Sequence, residues 1–441
     1  MKIYWGNFII KLRMTMSNTD PSICIVIPTR NRATLAKNAI QSALADEQLD
    51  VRVIVSDNST DELDLADLSA YCEMLDVPKL SYIRPPAPIG LAEHWEWAMQ
   101  QALKNTKSSH ILFLTDRMIF KDTELQKIFS VVRSFPNDVI TYSHDVIDDS
   151  RRPIQLVQES WTGNLYSITS EELLRLSAKM IHLHVLPRMM NCVVPRTVFE
   201  RILSDFGNIF DDTAPDFMFA YRCLAISDRI LYLDRTSLVH YAQNLSTGGN
   251  QSKGIFDKAT IEHFKKTGNM DFNYAAPIPG FITLNNSIIH AYCHVKDQSQ
   301  NSKFPAINQE LYYKMIDHEI GAITNLEIQH QMRVLLSKQI RDPKELTRQK
   351  FLKLRNFIFS WRCWNVKFRW ILTGSKFLPV WKLFNRYPGI KMPAVRQTIS
   401  EFETVESALK FARTEPSRCN SGISYLETLA EFKPVPNTTL S

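Results

Sequence analysis

Residues 22–140 alternate between short runs rich in β-branched residues and longer stretches of helical periodicity. That alternation admits little besides a parallel sheet with crossover helices, so an α/β class is expected. The first run, Ser22 to Ile27, stops at Pro28, and the spacing of Leu35, Ala39, Ile40, Ala43 and Leu44 predicts a helix over 33–45. Further strands are expected at 52–56, 80–84, 110–115 and 139–142, with helices at 63–75 and 91–104. Three of the strands run into polar clusters: Thr29-Arg30-Asn31-Arg32, Asp57-Asn58-Ser59 and Thr115-Asp116-Arg117. In open α/β sheets the carboxyl edge of the strands is where ligands bind.

At 441 residues and 44% hydrophobic content the chain has enough material for one large domain and a smaller one. The expected division is an N-terminal extension over 1–20, an α/β domain over 21–252, a helical extension over 253–340 and a basic, aromatic region over 341–441. Within the domain, 21–142 is the regular half, and 143–252 mixes helix-like 170–180 with strand-like 191–194 and 230–233. Residues before the first strand carry no clear pattern, and Met14 or Met16 would serve as a start as well as Met1. The seven cysteines are odd in number, scattered and without a CxxC pair, which speaks against a disulfide framework or zinc ribbon and for a reducing compartment. With no apolar run of bilayer length, a cytoplasmic protein, peripheral on the inner membrane face at most, is expected.

The formal net charge of +6 conceals an uneven distribution: Leu346 to Ser400 holds twelve Lys and Arg and no acid, leaving 40 basic against 46 acidic residues elsewhere. Four of the eight tryptophans (Trp361, Trp364, Trp370, Trp381) stand in that segment, and Phe351, Leu354, Ile358 and Trp361 form a helical stripe. Such a stripe suits either an anionic membrane surface or packing on the rest of the protein. Nucleic-acid binding is not expected, because no recognised fold motif accompanies the charge.

The cluster Pro28-Thr29-Arg30-Asn31-Arg32 combines a hydroxyl, two guanidinium groups and a helix start, the groups that hold a diphosphate or ribose. A polar loop that merely caps the helix accounts for it equally well. Asp57 is placed to accept hydrogen bonds from a nucleotide, or to cap the next helix.

In their order and spacing, SICIVIPTRNR, VIVSDNSTD, PIGLAEHWEWAMQQA and HILFLTDRMIFKD resemble the signature of family 2 glycosyltransferases, which have the GT-A fold. The resemblance implies a donor half over 21–142 and an acceptor half over 143–252, with a nucleoside diphosphate sugar, a UDP-sugar by preference, held by Pro28, Thr29, Arg30, Asn31, Asp57, Asp116 and Arg117. The family's metal motif, Asp-x-Asp, reads Asp116-Arg117-Met118 here; a thioether is no ligand for Mg²⁺ or Mn²⁺, so a cation would rest on Asp116 and on His240, which the resemblance adds as a metal or diphosphate contact. Asp122 is read as the cap of the following helix. The resemblance places the base that deprotonates the acceptor hydroxyl at Asp216, with Asp212 as second choice, although an N-cap cluster explains both. A packed strand-end His is the plain alternative for His240, and the pairs His182/His184 and His290/His294 are read as structural. The expected function is transfer of a sugar, with inversion, to a hydroxyl of a glycan or lipid-linked acceptor in polysaccharide or glycoconjugate synthesis. A non-catalytic family member that binds nucleotide or glycan is the alternative, motivated by Met118.

Overall fold

The structure is a computed structural model that describes residues 20–159, 162–211, 214–245, 275–278, 283–339, 397–415 and 433–435. Its first half follows the strand–helix alternation closely: β1 (Ile23–Thr29), α1 (Ala33–Ala43), β2 (Val51–Asp57), α2 (Glu62–Leu75), β3 (Leu80–Ile83), α3 (Leu91–Asn105) and β4 (His110–Phe113). Then come β5 (Met118–Phe120), α4 (Glu124–Ser134), β6 (Val139–Asp148), β7 (Ile154–Glu159), β8 (Leu165–Thr169), α5 (Ser170–Ser177), β9 (Cys192–Pro195), α6 (Arg196–Phe206), α7 (Pro215–Ile226) and β10 (Arg229–His240). Three helices follow, Leu284–Ser299, Gln309–Ala322 and Leu326–Gln339, and the described C-terminal residues form β11 (Gln397–Phe402), a helix Val405–Thr414 and β12 (Lys433–Pro434).

One sheet runs β12-β8-β10-β6-β9-β4-β1-β2-β3, with β5 paired to β10, β7 to β6 and β11 to β7. The β3-β2-β1-β4 half is parallel, as is β6 with β10, and antiparallel β9 joins the two parts. Buried on both faces, β1 splits its side chains by period two: Ile23, Ile25 and Ile27 face α1, α2 and α4, while Cys24 and Val26 face α3 and the α5–α7 layer. Alanines at 33, 36, 39 and 43 let α1 lie close on the first face. The chain leaves β1 toward β2 and β3, then returns to β4 on the other side of β1. That reversal opens a crevice between the carboxyl ends of β1 and β4, and the site sits there.

Asp122 does not cap α4. Thr123 occupies the N-cap, and Asp122 accepts from Arg413 Nε at 2.8 Å while its N–H donates to the Arg413 carbonyl at 2.9 Å. The basic aromatic stripe lies outside the described residues, as does Asp212; among the described residues no helix is long and apolar enough to cross a membrane.

Candidate functional site

The loop after β1 is shaped by Asn31, whose φ of 53° is the left-handed region that Asn tolerates better than most residues. Its Oδ1 accepts from Thr60 N–H (2.8 Å) and Asp61 N–H (3.0 Å), and its own N–H donates to Ser59 Oγ (2.8 Å). Asn31 therefore braces the β1 loop to the β2 loop. This turn sends the two arginines different ways. Arg30 lies over the β3–α3 segment, 3.5 Å from the Ile89 carbonyl, whereas Arg32 reaches Asp116 Oδ1 at 3.5 Å and the Leu245 carbonyl at 3.1 Å. Pro28 is a buried strand residue opposite Ser56 in the ladder.

Asp57 is fully buried; one oxygen accepts from Ser59 N–H at 2.8 Å and the other from the Tyr82 hydroxyl at 2.7 Å. Its next neighbour, Asn58, clasps Ile89 through both side-chain atoms, donating to the carbonyl at 2.9 Å and accepting from the N–H at 3.1 Å. The proline-rich 85–90 segment is thus fixed beside the β2 loop, and Asn58 is a site residue that the motif reading passed over.

Asp116, just past β4, is the centre of the crevice. Thr29 donates its hydroxyl to Oδ2 at 3.0 Å across the β1–β4 gap. Burial raises the Asp116 pKa, and the Arg32 guanidinium, the Thr29 hydroxyl and Arg117 oppose that rise. Arg117 projects toward the β10 end, where its Nη1 donates to His240 Nε2 at 3.0 Å. A guanidinium only donates, so Nε2 is the acceptor and His240 is the neutral Nδ1–H tautomer. Burial agrees, taking the His240 pKa well below its ordinary value, with His144 and the arginines adding to the effect.

The missing second carboxylate has a structural explanation. Met118 pairs with His240 in the β5–β10 ladder, and its side chain is buried in the core under α1, on the same side as Phe120, while Ile119 points the other way. The donor set does not fit a hard divalent cation: Asp116 is committed to Thr29 and Arg32, and His240 Nε2 is taken by Arg117. Among the described residues no three His, Cys, Asp or Glu side chains are grouped to hold a metal.

On the acceptor-side half, Asp216 stands in the first turn of α7, after Pro215. Burial raises its pKa and Arg188 opposes the rise. Burial lowers the pKa of His144, His182, His184 and His240 and Arg188 adds to the effect; its guanidinium lies 5.6 Å from the ring of Phe217, next to Asp216. The His144 ring lies 5.5 Å from that of His240 and 6.3 Å from that of His184. The structure therefore brings Thr29, Asp116, Arg117 and His240 together and adds Arg32, Arg188 and His144, while Asp57, opposite Thr29 in the ladder, is held by Ser59 and Tyr82, and Arg30 lies at Ile89. No sequence motif announces Arg188 or His144, since neither stands at a strand end.

An open α/β sheet with its polar crevice at the β1/β4 switch point is the architecture of a ligand-binding α/β enzyme class. The family model described as glycosyl transferase family 2 matches residues 24–199, the stretch that holds β1 to β4 and Asp116. Two curated relatives agree. An uncharacterized glycosyltransferase of Rickettsia prowazekii (strain Madrid E), RP339, is 24% identical over 287 residues, covering 61% of this chain and 82% of the relative. Its counterpart in Rickettsia typhi (strain ATCC VR-144 / Wilmington), RT0329, is 25% identical over 249 residues, covering 54% and 70%. Among solved structures, S. aureus TarS 1-349 in complex with UDP-GlcNAc matches with a TM-score of 0.43 and 13% identity over 75% of this chain and 92% of that one, a likeness too distant to bear on chemistry.

Proposed function

We propose that the protein transfers a sugar, with inversion, from a nucleoside diphosphate sugar to a hydroxyl of a glycan or lipid-linked acceptor. The observation that carries the reading is Asp116, buried in the β1/β4 crevice of a family 2 domain with Arg32 and Arg117 on either side. In this reading Asp116 and Thr29 position the donor, and Asn58 and the 85–90 segment wall the nucleoside. Asp216, whose carboxyl pKa burial raises and Arg188 holds back, takes the acceptor hydroxyl proton. The acceptor oxygen then bonds to the anomeric carbon as the carbon–oxygen bond to the diphosphate breaks. The leaving nucleoside diphosphate carries the charge away, and Arg32 and Arg117 offset it as fixed cations. Because the carboxylate and imidazole of the metal motif are otherwise engaged, this diphosphate site works without a divalent cation.

The test is thermal stability of the purified chain against a panel of nucleoside diphosphates and their sugars, with EDTA or Mn²⁺. Stabilisation by one nucleotide class, UDP by expectation, kept in EDTA and lost in Asp116→Ala, supports the reading. Asp216→Asn should keep that stabilisation and lower transfer by about 10²–10⁴-fold; full transfer by that variant removes the assignment. The buried Met118 also favours a second reading, a family member that binds without turnover. Nucleotide stabilisation with neither transfer nor donor hydrolysis across the whole panel selects it.

A further inference from the structure

Next to His240, whose partner in the β6–β10 ladder is Val146, the paired strands β6 and β7 form a ledge. Along β6, His144, Val146 and Asp148 are partly exposed while Ser143, Asp145 and Ile147 are buried; along β7, Gln155, Val157 and Glu159 alternate in the same way with Ile154, Leu156 and Gln158. Val146 and Val157 stand opposite each other in the antiparallel ladder, and so do Asp148 and Gln155. One face of the hairpin therefore presents an apolar pair between polar rows. This face lines a cavity of about 380 Å³, completed by His184 and Gln243.

We infer that this ledge is a subsite for a neutral sugar ring of the acceptor glycan. The inference rests on the transferase reading and adds to it where the acceptor lies and what kind it is. A pyranose has a C–H face and a rim of hydroxyls. Here Val146 and Val157 supply an apolar floor, and around them stand the Glu159 carboxylate, two imidazoles and an amide, with Asp148 at the rim already accepting from Ser150 and Arg151. Carboxylates accept from hydroxyls, and a neutral imidazole offers one donor and one acceptor. Both imidazoles are neutral at physiological pH, since burial takes His144 to about 3 and His184 to about 4. The Gln243 side-chain NH₂ is buried in the wall without a partner among the described residues, a donor that a ligand hydroxyl would satisfy after a small shift. The cavity is at the small end of ligand sites, about 300–1,000 Å³. Among the described residues no Lys or Arg lines it, so a phosphate-bearing polymer is the poorer fit.

Position decides for acceptor over donor sugar. Arg117 closes the diphosphate crevice against His240, and the His144 ring, 5.5 Å beyond, begins the ledge. The loop 184–191 links the ledge to the base: Asn191 holds the His184 carbonyl at 2.7 Å and the Arg188 N–H at 2.8 Å, and the Arg188 guanidinium lies 5.6 Å from the ring of Phe217, the neighbour of Asp216.

Saturation-transfer NMR on the full chain without nucleotide, using neutral oligosaccharides of glucose, galactose and N-acetylglucosamine and an oligomeric glycerol phosphate, tests the site. A neutral oligosaccharide should bind, and Val157→Phe, which fills the floor, should weaken it by about tenfold or more while the UDP-induced thermal shift stays at the wild-type value. Gln243→Ala, where nothing large enters a packed region, should weaken it in the same direction. Unchanged oligosaccharide affinity in both variants overturns the inference. So does binding by the glycerol phosphate alone, binding by none of the neutral probes, or a Val157→Phe chain whose sole defect is failure to tell UDP from UDP-sugar. A wild-type chain that responds to no nucleotide sinks the transferase reading instead, which the oligosaccharide arm reads separately.

Discussion

At the scale of single residues, the contrast between Asp116 and Met118 carries the most information. Two positions apart, one faces the crevice and the other the core, because β5 begins at Met118 and its pairing with β10 turns that side chain under α1. Restoring the family's second carboxylate should therefore fail. Met118→Asp places a carboxyl among Ile25, Ile27 and Leu238 with no partner, and should cost about 3 kcal/mol or more of stability without creating Mn²⁺ dependence. Chemical denaturation and a metal titration check this; a stable variant that gains a Mn²⁺ response would show that Met118 points into the site. Arg32 teaches the complementary lesson. The motif reading chose Arg30 for the donor and left Arg32 out, yet the left-handed turn at Asn31 brings Arg32, not Arg30, to Asp116.

At the scale of elements, the described C-terminal residues are part of the site's support. β11 pairs antiparallel along β7 from Gln397↔Glu159 to Phe402↔Ile154, covering an edge that would otherwise offer unpaired backbone groups. The helix Val405–Thr414 packs Ala408 and Ala412 against Ile119, Val239, Tyr241 and Ala242, the residues beside Arg117 and His240. Tyr241 N–H donates to the Arg117 carbonyl at 3.1 Å, so this packing holds the backbone that carries the Arg117–His240 hydrogen bond. Ala412→Asp, which buries a lone carboxylate in that contact, should cost about 2–3 kcal/mol. Hydrogen exchange should quicken in 118–120 and 238–242 and leave β1 to β4 unchanged. Equal protection of those two segments in variant and wild type would detach the C-terminal helix from the site.

At the scale of the whole molecule, the burial of histidines sets a pH dependence. Burial lowers His94, His110, His182, His184 and His290 from the ordinary 6.5 to about 4, and His144 to about 3. The unfolded chain takes up these protons as pH falls through 6.5, while the folded chain resists until about 4. This contribution is complete above pH 6.5 and is lost as pH drops toward 4. Asp116, Asp145, Asp216 and Glu319, whose pKa values burial raises, work in the opposite direction, but among the described residues the six imidazoles outnumber them. The melting temperature should fall progressively from pH 6.5 to pH 4. A flat profile over that range would mean the histidines are hydrated.

The sequence by itself determined the regular half of the fold, because strands buried on both faces and helices packed on one side write their periods directly into the order of apolar residues. β1 to β4, α1 to α3 and the three polar strand ends were legible for that reason. β6 was not: the expected strand ended at Tyr142, yet it continues to Asp148, because Lys121 neutralises Asp145 inside the protein at 2.6 Å and lets a polar run pair with β7 and β10. The site divides in the same way. Asp116, Thr29 and His240 could be read as strand-end residues, whereas Arg32, Arg188 and His144 join them only through tertiary contacts, such as that of Arg32 with Asp116. Side-chain direction at Met118, and the pairing of β11 with β7, follow from contacts between segments that no local pattern records, so only the tertiary structure decided them.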